Sequence, residues 1–199
     1  KDVYDINVNT DKSISVKEEL TYRFEGSFSW AEMWIPTQVN GLGNAYETPI
    51  TDFKIGSLDG STVTLSTSEQ QAEMFYAKWF YSAADEDKTF MITYNVENAV
   101  RKYPEIAELY WQVIGPKWQI PHNDVAVSVK LPQAAAKDEL LVYGHGPLNG
   151  NSTITDTLTA LFTANSVAAG QFMEIRFVFP SSFVTGAIDW QRTKEEIKQ

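Results

Sequence analysis

The segment Tyr110-Trp111-Gln112-Val113-Ile114-Gly115-Pro116-Lys117-Trp118 sets a tyrosine and two tryptophans around a Gly-Pro turn. Flat rings exposed at such spacing form platforms for sugar rings or for another protein. Side chains alternate along a strand, so Trp111 shares a face with Leu109 and Val113, and Tyr110 shares the other with Gln112 and Ile114. That parity puts Trp111 in the core and leaves Tyr110 nearer to water. A second aromatic run, Phe75, Tyr76, Trp79, Phe80 and Tyr81, contains Trp79, and the span from Phe75 to Trp118 holds 11 of the 26 aromatic side chains. A strand this rich in rings must place some on each face. It is therefore either buried on both sides or carries an apolar patch suited to interaction. The candidate binding residues are Trp79, Tyr110 and Trp118.

The sequence nominates no catalytic residue. Carboxylate pairs for glycoside hydrolysis can be drawn from Glu18, Glu32, Glu73 and Glu108, but 26 acidic residues always offer such pairs, and only a separation in space has meaning. There is no Gly-x-Ser-x-Gly elbow, no phosphate-cradling glycine loop and no cysteine nucleophile. His122 and His145, the two histidines, stand at no metal-binding spacing and read as solvated loop residues. Asp85-Glu86-Asp87 lacks the alternating ligands and the glycine of a calcium loop and reads as a charged turn. No metal and no cofactor is expected. Asn151-Ser152-Thr153 fits a glycosylation sequon and reads as a strand beginning after a turn.

The elements that position these residues are strands. Tyr4, Ile6 and Val8 alternate with polar residues, Asp11-Lys12-Ser13 turns the chain, and Ile14, Val16, Leu20 and Tyr22 resume the alternation, which predicts a hairpin. Glu18 falls in the inward phase of the second strand, where an unpartnered carboxylate costs several kcal/mol, so it needs a partner or a bulge. Trp30 to Pro36 is a third, aromatic strand, and Gly41-Leu42-Gly43-Asn44 supplies turn residues after it. Asp59-Gly60 predicts a hairpin between Thr51 to Leu58 and Thr62 to Ser66. Asn98 to Glu108 is spaced for a short helix that Pro104 would end or restart. Val125 to Leu131 and Met173 to Phe179 alternate and each stops at a proline. Asp189 to Gln199 is charged on all sides and reads as a frayed helix or linker.

The 199 residues are enough for one large β domain, and 43% apolar content builds a core without metal or disulfide. The absence of cysteine leaves the redox compartment open. A net charge of −10 with 16 scattered basic residues argues against nucleic acid or an anionic membrane surface as the main partner. No run of about 18 apolar residues is present, and Lys1-Asp2-Val3 does not read as a signal peptide. An opening strand with no lead is what a processed ectodomain would look like.

Four segments resemble the extracytoplasmic N-terminal domain of the YciQ-like family of bacterial predicted membrane proteins, a domain of unknown function. They are Val16 to Phe24, Phe28 to Pro36, the run from Tyr94 to Ala107-Glu108-Leu109-Tyr110-Trp111-Gln112-Val113-Ile114-Gly115 and Trp118, and Val125 to Pro132 with the later strand ending at Pro180. The third is the most specific. The resemblance implies a signal peptide removed before Lys1, a β-rich domain outside the cytoplasmic membrane and a transmembrane segment after Gln199. It implies no reaction. Relatives commonly carry an arginine before the Ile-Pro that ends the third strand, where this chain has Met33-Trp34-Ile35-Pro36, so that arginine is not there to pair with Glu18, and Arg23 or Arg176 could substitute for it.

The expectation is an all-β protein, an antiparallel β-sandwich of about a dozen strands over residues 1–188 with at most one or two short helices. It forms one unit or two packed subdomains, 1–119 and 124–188, with 189–199 as a polar linker toward a membrane segment outside the chain. The expected function is non-catalytic recognition, sensing or assembly at the cell surface, with a protein or glycan ligand and no nucleic acid. The alternative is a module that binds or cleaves cell-wall carbohydrate, which a cleft lined by Trp79, Tyr110 or Trp118 with two facing carboxylates would favour.

Overall fold

Apolar residues recurring at every second position drive the chain into strands, and the computed structural model describes residues 1–41 and 44–197. Leu42 and Gly43, the middle of the expected glycine-rich turn, lie outside the described residues. The strands are β1 (Asp2–Val8), β2 (Ile14–Arg23), β3 (Ser27–Pro36), β4 (Gln38–Gly41), β5 (Asn44–Glu47), β6 (Ile50–Ser57), β7 (Thr64–Gln71) and β8 (Met74–Ala84). They continue as β9 (Asp87–Val96), β10 (Val100–Lys102), β11 (Ile106–Ile114), β12 (His122–Lys130), β13 (Leu141–His145), β14 (Gly150–Ile154), β15 (Thr159–Val167) and β16 (Met173–Pro180). One helical turn, α1 (Lys194–Ile197), follows.

A seven-stranded sheet in the order β14-β15-β12-β1-β2-β9-β6 packs through one apolar core against a four-stranded sheet, β10-β11-β16-β13, and a three-stranded sheet, β3-β8-β7. The fold is thus an all-β sandwich. β1 and β12 run parallel, and the other paired strands are antiparallel. Because β1 bonds to both β2 and β12, strands from either side of residues 119–124 share one sheet. Inward rows such as Tyr4, Ile6 and Val8, or Phe90, Ile92 and Tyr94, meet in that core.

Two expected elements differ from what forms. The turn at Asp59-Gly60 is present, with Gly60 at φ +77°, but β6 pairs with β9 and β7 pairs with β8. A tight turn sets the reversal and not the partner, so this one carries the chain from one sheet to another. Asp59 accepts hydrogen bonds from Ser57 Oγ and Ser61 N and holds the buried Lys88 Nζ at 3.0 Å. The helix expected over 98–108 is instead β10, a turn through Pro104, and the start of β11. Tyr103 N donates to Ile106 O at 2.8 Å across that turn, and the pairing of β10 with β11 satisfies the backbone that Pro104 prevents from coiling.

The body extends beyond residue 188. Asp189 N donates to Lys102 O, Lys12 Nζ reaches the Asp189 carboxylate at 2.9 Å, and Trp190 packs on Tyr46 and Tyr103. Among the described residues no helix is long and apolar enough to cross a membrane.

Candidate functional site

The pairing of β3 with β8 sorts an aromatic-rich segment into two rows. Ala31 opposite Trp79, Met33 opposite Ala77 and Ile35 opposite Phe75 face the core. Trp30 opposite Phe80, Glu32 opposite Lys78 and Trp34 opposite Tyr76 face outward. Parity alone decides which rings are wet. Trp79 is 1% exposed and stands edge-on to Phe90 at 5.7 Å, so as a candidate binding residue it is corrected to a core residue. Its neighbour Phe80 takes the outer position, and Trp30 is 50% exposed.

Among the described residues β3 ends its sheet and bonds to β8 alone, which leaves its other edge open. Along that edge runs a groove of about 610 Å³, with Trp30 to Trp34 on one side and Lys117, Trp118, Gln119 and Ile120 on the other. The size falls within the range of roughly 300–1,000 Å³ typical of ligand pockets. Lys78 Nζ sits 4.3 Å above the Trp30 ring and Lys117 Nζ 4.4 Å above the Trp34 ring. Among the described residues neither lysine forms an ion pair. The one acid lining the groove, Glu32, accepts a hydrogen bond from Tyr76 Oη at 2.9 Å, and Tyr76 lies against Trp34 at 4.5 Å.

Trp118 joins the groove as a half-buried residue and meets His122 edge-on at 4.9 Å. His122 is not a solvated loop residue. It begins β12, is 3% exposed, and its Nδ1 lies 2.6 Å from Asp2 Oδ2, because β1 runs parallel alongside. His145 is exposed, as expected, and stands edge-on to Tyr110. Tyr110 lies on the outer face of the four-stranded sheet, away from the groove. Its hydroxyl donates to Glu174 at 2.5 Å, and burial first, then that carboxylate, push its ionisation well above the usual tyrosine value. Of the three residues expected to bind, only Trp118 reaches the groove.

The four glutamates considered for catalysis lie apart on the fold. Glu73 is exposed between β7 and β8, and Glu32 lines the groove. Glu108 is buried on β11, where the Arg176 guanidinium and the Tyr103 hydroxyl hold it. Glu18, 2% exposed, accepts a hydrogen bond from Tyr94 Oη. Burial raises its carboxyl to about 8, the Tyr94 hydrogen bond opposes the rise and the nearby Asp2 charge adds to it. Neither suggested arginine serves Glu18: Arg23 is exposed at the end of β2 and Arg176 pairs with Glu108. A carboxyl that keeps its proton at neutral pH needs no cation. Trp34, before the Ile-Pro, points to the outer face and away from Glu18.

The signal for the groove was present in the alternation of Trp30, Glu32 and Trp34 and of Tyr76, Lys78 and Phe80. What the sequence does not carry is the pairing that stacks these two rows and the loop that walls them.

The family described as Predicted membrane protein (DUF2207) N-terminal domain matches residues 3–179. No curated protein matches the chain. Among solved structures, leukotriene A4 hydrolase from Saccharomyces cerevisiae is similar over 90% of this chain and 28% of its own, at 15% identity and a TM-score of 0.48. An M1 zinc metallopeptidase from Deinococcus radiodurans is similar over 87% of this chain and 41% of its own, at 11% identity and a TM-score of 0.42. An aminopeptidase N family protein from Idiomarina loihiensis is similar over 88% and 29%, at 12% identity and 0.43. The chain spans less than half the length of each.

Proposed function

The chain belongs to the family of predicted membrane proteins whose N-terminal domain residues 3–179 match, and from that premise we propose that it is a non-catalytic recognition domain displayed outside the cytoplasmic membrane. Its role is to bind a protein or glycan ligand at the cell surface, for sensing or assembly, while the rest of the full-length protein anchors it.

The observation that carries this reading is the groove along β3, where tryptophan rings and Lys117 line one side of an acidic domain and Lys78 of β8 rests on Trp30, both lysines without an ion-pair partner among the described residues. Rings with a polar handle suit a surface that must be wet when free and dry when bound. Hydrolysis of a glycosidic bond calls for two carboxylates roughly 5–9.5 Å apart, and Glu32 is the one acid among the groove's lining residues. That favours binding over cleavage.

Arrays of cell-surface glycans and of peptides, probed with the labelled domain and with its Trp34→Ala and Lys117→Glu variants, test the reading. Retention on at least one array, lost in both variants, is the expected outcome. No retention on either, or retention that survives both substitutions, would overturn it.

A further inference from the structure

The groove is more than a row of rings. β3 is ten residues long and hydrogen-bonds on one side only, so alternate residues turn their N–H and C=O groups into the groove. Among the described residues, no backbone bond made outside the ladders engages residues 30–34. An open row of this kind is a template for one more strand.

What stands opposite selects the occupant. Lys117 to Ile120 line the groove opposite β3, and its volume of about 610 Å³ suits a short extended segment. The edge of a second copy would bring β8 and β7 with it, a bulkier occupant than a single extended chain, and a strand must come within about 4.8 Å to pair. A sugar could stack on the rings, but it would leave the backbone row unmatched.

Charge sets the rest. On a chain of net charge −10, Lys117 lines the groove and Lys78 stands behind it on β8, each resting on a tryptophan and without an ion-pair partner among the described residues, while Glu32 between them is engaged by the Tyr76 hydroxyl. A carboxylate arriving beside them draws the ammonium groups off the rings and leaves the ring faces to the ligand. On the inner side the neighbours are Ala31 and Met33, and the exposed Ile120 stands across the groove, so they ask for apolar side chains. Outer acids and inner apolar groups are what a strand with period-two alternation presents.

We propose that the groove binds an extended polypeptide segment as an added strand along β3, with its carboxylates directed to Lys78 and Lys117 and its apolar side chains directed inward. The proposal rests on the recognition reading above and names its ligand class.

The test is an array of capped hexapeptides varied at every position, followed by titration of the retained peptides and of copies N-methylated at alternate backbone nitrogens. A glycan array is run beside it. Retained peptides should alternate Asp or Glu with apolar residues. N-methylation in the register facing β3 should weaken binding by about tenfold or more, and Lys117→Glu should do the same. Retained peptides without alternation, or binding indifferent to N-methylation in both registers, would overturn strand addition. Glycan binding that Trp34→Ala abolishes, with no peptide retained, would overturn it while leaving the recognition reading standing. Silence on both arrays would remove both.

Discussion

Glu18→Gln should change how the stability of this domain depends on pH, and the structure sets the size of the change. Glu18 is buried among Tyr94, Tyr4 and Asp2 on the inner face of the seven-stranded sheet, and its carboxyl is raised from 4.5 to about 8. The folded chain therefore keeps a proton that the unfolded chain releases. Its stabilising contribution is complete below about pH 4.5, declines as pH rises, and is gone above about pH 8. At about 1.36 kcal/mol per tenfold change in proton affinity, the wild type loses about 5 kcal/mol to this one group across that range. That is a large share of the roughly 5–15 kcal/mol that holds a typical domain together. Glutamine keeps an oxygen that can accept from Tyr94 and has no proton to lose. Urea unfolding of both proteins at intervals from pH 5 to pH 9 should show Glu18→Gln gaining on the wild type by about 1.4 kcal/mol per pH unit until the gain levels off near pH 8. Curves that stay parallel across that range would refute the reasoning, because a carboxyl with an ordinary affinity contributes no such slope there.

Trp79→Ala and Trp111→Ala should each cost about 3–5 kcal/mol in denaturant unfolding, whereas Trp34→Ala on the outer face should cost about 1 kcal/mol or less; equal losses would mean that the inner and outer rows are misassigned. Asp59→Asn should lower the thermal midpoint by weakening the hold on the buried Lys88. Hydrogen bonds from Ser57 and Ser61, and then from Lys88, hold the Asp59 carboxyl below the usual range, so its contribution is present above the ordinary aspartate value and is lost as pH falls toward the folded one. Melts at pH 7 and pH 3 should therefore show the difference between the two proteins narrowing at the lower pH. The chain has no cysteine, so Leu148→Cys at a fully exposed turn places a single thiol in it. A membrane-impermeant maleimide should label that thiol in the full-length protein in intact cells, and labelling only after lysis would sink the extracytoplasmic placement.

Alternation carried most of the fold. The opening hairpin, the inward place of Trp111 and the strands that end just before Pro132 and at Pro180 all follow from period-two rows, because each strand has one face that must be dry. Failures arose where local chemistry was silent about partners. Asp59-Gly60 marks a reversal equally well within a sheet and between sheets. The spacing of Ala99, Val100 and Tyr103 suits a helix until Pro104 and the edge of β11 compete for the same backbone. His122 looks like a loop residue until the parallel pairing of β1 with β12 brings Asp2, 120 positions away, beside it. For the groove, Trp118 was visible as a ring near a turn, but Trp30, Trp34 and Lys117 become neighbours only through the open edge of β3. The ring of Trp79 suits a binding surface, but its parity on β8 places it in the core.

Retention of the purified domain on cell envelopes from the organism that encodes it, compared between the wild type and a Trp30→Ala/Trp34→Ala double variant, tests the recognition surface most directly. The account predicts saturable retention of the wild type and binding at least about tenfold weaker in a double variant whose unfolding curve is otherwise close to that of the wild type. Equal retention of the two proteins, or no retention of either, would contradict it.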